Sequence, residues 1–119
     1  MKDFRKLSVW DKSHKLTLDV YDRTKAFPRE ELFGLTSQLR RASASIPANI
    51  AEGCGKNSDL DFARFLQIAF GSACEVEYHL ILSRDLKYLD VETYECITKD
   101  LIEIKRMLSS LVVKVRADR

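Results

Sequence analysis

The sequence predicts an all-α protein, an antiparallel up-and-down four-helix bundle. Two observations carry that reading: four long stretches repeat apolar residues at steps of three and four, and no stretch alternates apolar and polar residues as a strand does. Turn residues are scarce, with only 4 Gly and 2 Pro in 119 residues, so little chain is spent on loops. Apolar residues at 45% and charged residues at 32% supply a core and a solvated surface, which excludes a disordered or collagenous chain. The length fits one domain, taken as residues 1–119.

The first helix is expected to begin near Ser8, an N-cap with Asp11 three residues on in a capping-box-like arrangement, and to end before Phe27-Pro28. Its inner stripe reads Val9, Trp10, Ser13, Leu16, Val20 and Thr24. In the second helix, Thr36 is the expected cap, and Leu35, Leu39, Ala42, Ile46, Ile50 and Gly53 share one face. Pro47 must bend or end it, because proline lacks the N–H that would reach the Ser43 carbonyl. Gly53-Cys54-Gly55 then supplies a stop, with Gly53 expected to leave the helix at positive φ.

Ser58 is the N-cap of a third helix with Asp59 and Asp61 in its first turn, running to about Leu86 with Phe62, Phe65, Ala69, Ala73, Val76 and Leu80 inward. Gly71 within it suits close helix contact. The fourth helix has the strongest pattern: Tyr94, Ile97, Leu101, Ile104, Leu108, Leu111 and Val115 alternate steps of three and four, the seam of left-handed packing. Asp90 or Glu92 supplies negative charge at its start, and Lys114, Arg116 and Arg119 positive charge at its end.

A search for chemistry finds no phosphate-cradling glycine loop, no H-E-x-x-H and no nucleophile elbow. Glu75 and His79 stand four apart with no second copy, which argues against a di-iron bundle and for a solvated helix face that also holds Glu77. Ser43, Ser45 and Ser72 read as small hydroxyls at helix contacts rather than nucleophiles. Cys54, Cys74 and Cys96, with only His14 and His79 beside them, form no zinc spacing or disulfide framework; each reads as a buried, inert thiol. No catalytic residue, metal or cofactor is expected. No apolar run approaches the ~20 residues of a membrane span and Met1 to Lys6 lacks a secretion signal, so the expectation is a cytoplasmic protein without a membrane partner.

The overall charge of +2 reveals no anionic partner, but its distribution is uneven. Residues 1–57 carry 11 basic and 7 acidic groups, 58–95 carry 3 and 8, and 96–119 carry 6 and 3. Such asymmetry fits helix pairing within the chain, complementary surfaces between copies, or a mixed solvated surface. Arg40 and Arg41, with Lys56 and Arg64, are the candidates for contacting a nucleic-acid backbone. One of the adjacent arginines could instead pair with Glu52 or Glu75.

Four stretches then read together: Leu7-Ser8-Val9-Trp10; Phe27 through Ala42; Ser45-Ile46-Pro47-Ala48-Asn49-Ile50-Ala51-Glu52-Gly53; and Phe65 through Glu75. In this order they resemble the 23S rRNA-intervening sequence proteins, over about Leu7 to Leu89. The resemblance implies a four-helix bundle without enzymatic activity that assembles as a ring-like homo-oligomer, a pentamer by expectation. It also implies a similarity to the accessory proteins of diversity-generating retroelements, which bind nucleic acid and a reverse transcriptase through basic surfaces. On this chain Arg40, Arg41, Asn49, Glu52, Gly53, Gly71, Ser72 and Glu75 match the family motif. Asn49 and Glu52 are expected to satisfy backbone groups freed by Pro47, or to reach Arg40 or Arg41 of a neighbouring copy. The expected partners are the chain itself and RNA or a nucleic-acid-processing protein.

Overall fold

The computed structural model describes residues 2–117; Arg119, expected at the cationic end of the last helix, lies outside them. Four α-helices follow one another: α1 (Ser8–Thr24), α2 (Leu35–Cys54), α3 (Asp59–Asp85) and α4 (Val91–Ala117). Short 3-10 turns at Phe4–Lys6 and Arg29–Glu31 precede α1 and α2. No strand occurs among the described residues. Packing is cyclic, α1 on α2, α2 on α3, α3 on α4 and α4 on α1, which gives a four-helix bundle measuring 46 × 23 × 20 Å.

The core is the set of inward stripes. Ile46 and Ile50 of α2, Leu66, Ala69, Ala73, Val76 and Leu80 of α3, and Leu101, Ile104 and Leu108 of α4 have no solvent exposure. Burying each of the larger ones contributes about 1.5–3 kcal/mol, which is what holds helices of only modest intrinsic propensity together. The α4 seam drifts as a straight helix must: Tyr94 and Leu111 are half-buried and Val112 turns inward beside Leu108. Trp10 is half-buried at the edge of the core, stacked on His14 and tilted against Phe4.

The helix ends show where local signals were overridden. Ser58 caps α3 as expected, its Oγ accepting from the Asp61 N–H at 3.1 Å. Asp90 does the same for α4, accepting from the Thr93 N–H at 2.7 Å. The resulting hydrogen bond, from the backbone first, holds the Asp90 carboxyl below its ordinary pKa. Ser8 and Thr36 do not cap: both already lie inside their helices, with Leu7 and Gly34 at the cap positions. Glu31 replaces Thr36, its Oε1 accepting from the Leu35 N–H at 3.2 Å while its Oε2 accepts from the Tyr88 hydroxyl at 3.0 Å. The Tyr88 phenol is raised in pKa by that bond, since it donates to a carboxylate. One side chain thereby ties the start of α2 to the α3–α4 turn.

Helix α2 runs through Pro47 without ending. The Ser43 carbonyl, which has no N–H from Pro47, receives the Thr17 hydroxyl of α1 at 3.0 Å, a donor shared with the Ser13 carbonyl at 2.8 Å. The group freed by the proline is thus served across the helix interface, and neither Asn49 nor Glu52 does it. Asn49 Nδ2 donates to the Ser45 carbonyl of its own helix at 2.7 Å, and Glu52 is exposed.

The glycines also depart from expectation. Gly53 is not at positive φ; it is buried in α2, and a Cβ there would stand 2.9 Å from Phe65 Cβ and 3.1 Å from Phe62 Cδ1. Its role is close approach of α2 to α3. The one described residue at positive φ is Lys87 (66°), following α3. There Tyr88 N–H reaches the Ser83 carbonyl and Lys87 N–H the Arg84 carbonyl, each at 2.9 Å, a Schellman closure with lysine in the left-handed position.

Candidate interaction surfaces

The cyclic packing places the α1–α2 edge opposite the α3–α4 edge; of the residues singled out from the sequence, Arg40 and Arg41 lie on the first and Gly71 on the second. On the first, α2 turns outward the series Ser37, Arg41, Ala44 and Ala48, at steps of four, three and four. Small side chains keep this face low, so a shallow groove forms between it and Tyr21. Phe33 stands at the end of the groove, 93% exposed. Arg40 belongs to the same edge but is engaged within the chain. Its Nε donates to Thr24 Oγ1 at 2.8 Å, its Nη2 to the Tyr21 carbonyl at 3.3 Å, and its guanidinium lies 4.9 Å from the Tyr21 ring centre. Arg41 points to solvent.

On the second edge a groove runs between α3 and α4, lined by Gln67, Phe70, Gly71, Ser109, Val112 and Val113. Gly71 is exposed, and no atom of the described chain lies within 4 Å of where its Cβ would be. The close contact expected at Gly71 is therefore not made inside this chain. Tyr78 of α3 and Ile102 of α4 are further exposed apolar side chains on these two helices. Lys105 Nζ bridges α4 to α3 by an ion pair with Glu77 Oε1 at 2.7 Å, which raises the lysine pKa.

Of the four basic candidates, Lys56 and Arg64 come together, both over the Phe65 ring with cation-to-centroid distances of 5.1 Å. Arg40 and Arg41 do not join them: Arg40 and Lys56 are 16 residues apart along α2 and its C-terminal extension, about 24 Å at the helical rise. Glu75 is half-exposed and takes the His79 Nε2 at 3.1 Å, while Ser72 is half-buried. His79 itself is buried, its Nδ1 without a partner, rather than solvated as its spacing suggested. Cys54 is buried, and burial pushes its thiol pKa up; Cys74 and Cys96 are exposed, contrary to the buried reading. Among the described residues no three His, Cys, Asp or Glu side chains are placed to share a metal ion, and no helix is long and apolar enough to cross a membrane.

Comparison with known proteins now decides the lineage. The family model of the 23S rRNA-intervening sequence protein matches residues 5–110. The chain belongs to that family. A solved structure of the same kind is a protein with unknown function from the S23 ribosomal protein family of Bacteroides thetaiotaomicron VPI-5482. It is 34% identical, the match covering 87% of this chain and 97% of that one, with a TM-score of 0.79. No curated protein matches the chain. The 23S rRNA-intervening sequence family match covers the first groove with Phe33, the Lys56 and Arg64 pair, and the second groove from Gln67 to Ser109 with Gly71, Val112 and Val113 lying just beyond it. It therefore does not choose among these surfaces.

Proposed function

We propose that this member of the 23S rRNA-intervening sequence family is a non-enzymatic interaction scaffold in the cytoplasm, an antiparallel up-and-down bundle whose copies assemble into a ring, with a pentamer expected. The observation that carries the reading is the pair of unlike apolar edges on opposite sides of the bundle. Isolated exposed apolar residues are ordinary, but a groove ending in a 93% exposed phenylalanine is what an interface leaves when its partner is removed. Two different edges on one molecule also favour head-to-tail contact, which closes into rings.

A second reading, nucleic-acid binding, draws on the convergence of Lys56 and Arg64, with Lys2 close by over the Phe62 ring at 4.7 Å. In that case the ring docks RNA, or a nucleic-acid-processing protein, on its basic patches. Light scattering coupled to size exclusion, with labelled RNA and DNA at low and moderate salt, separates the two. The scaffold reading expects a discrete mass several times 13.7 kDa that carries no nucleic acid. Co-elution that falls steeply as salt rises supports the second reading, because phosphate contacts release counterions. A monomer at all concentrations overturns the ring.

A further inference from the structure

Between the end of α1 and the start of α2 lies a pocket of about 310 Å³, at the low end of small-ligand sites. Every charged residue in its wall is basic: Lys25, Arg29 and Arg40. Thr24 and Thr36 supply the rest of its polar lining. Arg40 is set in position by the protein itself. Its Nε donates to Thr24 Oγ1 and its Nη2 to the Tyr21 carbonyl, both neutral acceptors, and its other N–H donors have no acceptor among the described residues. Thr36 is 3% exposed, and its hydroxyl has no hydrogen-bond partner. An unpaired buried hydroxyl is costly, so one belonging to the wall of a basic pocket points to a ligand oxygen that completes it.

The charge around the pocket selects the ligand. No carboxylate lines it. Asp22 meets Lys25 only at 3.8 Å with both side chains exposed, a pairing worth little in water. Glu31 has both oxygens engaged, on the Leu35 N–H and the Tyr88 hydroxyl, and Glu30 is exposed. Neither Arg29 nor Arg40 forms an ion pair among the described residues. Thr36 also stands in the first turn of α2, whose dipole adds positive potential. Two guanidinium groups and an ammonium suit an anion of more than one charge, and the guanidinium fork fits paired phosphate oxygens. A carboxylate would answer only part of that charge. A phosphate group brings about −1.5 to −2 at neutral pH and three strong acceptor oxygens. We propose that this pocket binds a phosphate dianion, held by Arg29 and Arg40 with Lys25 beside them and the Thr36 hydroxyl donating to one oxygen. The site lies at the opposite end of α2 from the Lys56 and Arg64 pair, and it requires neither that patch nor assembly of copies.

Equilibrium dialysis with radiolabelled inorganic phosphate at fixed ionic strength tests the site, once circular dichroism shows each variant as helical as the parent. Arg29 is exposed and the Thr36 hydroxyl serves nothing within the chain, so Arg29→Gln and Thr36→Val should both fold. The parent is expected to bind one ion per chain saturably, and each of these variants to bind about tenfold more weakly. Lys114→Gln removes the same charge near the C-terminal end of α4, at the other end of the bundle, and is expected to bind as the parent does. Binding that does not saturate, that either pocket variant leaves unchanged, or that Lys114→Gln weakens as much as Arg29→Gln overturns the site. Competition then names the source, and either result upholds the pocket. Adenosine monophosphate displacing the label more strongly than unlabelled phosphate assigns a small phosphate monoester, its organic part lying along the adjoining groove that shares Leu32 and Arg40. Equal or weaker displacement assigns the free ion.

Discussion

Gly53 and Gly71 sit in neighbouring helices, each within a stretch that matches the family motif, and the structure treats them in opposite ways. Around Gly53 the missing Cβ is occupied: Phe65 and Phe62 of α3 press where a side chain would be. Around Gly71 the missing Cβ faces open space on the outside of α3. The first glycine is explained by packing within one chain. The second has no such contact within the described chain. A helix interior loses up to about 1 kcal/mol with glycine relative to alanine, and at Gly71 no contact within the described chain offsets that loss.

The sharpest way to break the comparison is at Gly53. Gly53→Val should destabilise by about 3 kcal/mol, since branched bulk at a Cβ already 2.9 Å from Phe65 Cβ must force α2 and α3 apart. Urea denaturation checks it, and an unchanged midpoint would show that the α2–α3 contact yields freely. Next comes the polar contact nearby. Thr17→Val should cost about 1–3 kcal/mol by leaving the Ser43 carbonyl, already deprived of a donor by Pro47, buried and unpaired. Thr36→Val is its internal control: the Thr36 hydroxyl is buried without a partner, so this change should be neutral or stabilising in the same assay. If both threonines respond alike, the cross-helix bond is not what Thr17 supplies.

Gly71→Ala should go the other way from Gly53, raising protomer stability by about 0.5–1 kcal/mol through helix propensity alone. The measurement belongs at concentrations below assembly. A loss there would mean that Gly71 packs against its own chain after all. The smallest effect is electrostatic. The Asp90 carboxyl is held below its ordinary pKa by the Thr93 N–H, so its contribution is fully present above the ordinary carboxylate value and is lost as the pH falls through the lowered one. Asp90→Asn should flatten the acid limb of the melting-temperature profile slightly, with little change near neutrality. An identical acid limb would show that other carboxylates govern it.

Much of the fold was legible because local patterns and burial agree. The 3 and 4 stepping of α4, the Ser58 cap, and the stop after Gly53-Cys54-Gly55 each follow from side chains within a turn or two of one another. The misreadings share a physical origin: they concern groups whose partners lie far along the chain. Thr36 looks like a cap until Glu31 takes that place with Tyr88, 57 residues away, on its other oxygen. Asn49 and Glu52 look like the answer to Pro47 until Thr17, 26 residues before Ser43, supplies the hydroxyl. For the surfaces, the motif residues were identifiable one by one, but Phe33 was not, since an isolated phenylalanine in sequence carries no sign of its exposure. Nor could the spacing of charges separate Arg40, tied to Thr24, from Arg41, facing solvent.

The sequence by itself determined that four helices form, roughly where each begins and ends, and which stripe of each is apolar. These are properties of periodicity and of capping groups a few residues apart. Tertiary structure alone decided which polar groups satisfy one another across helices, that Gly53 is filled while Gly71 is open, and that a phenylalanine and a notch stand on opposite edges. Such outcomes depend on which side of each helix meets its neighbour, and that is fixed only when the cyclic packing of all four sets every helix in rotation about its own axis.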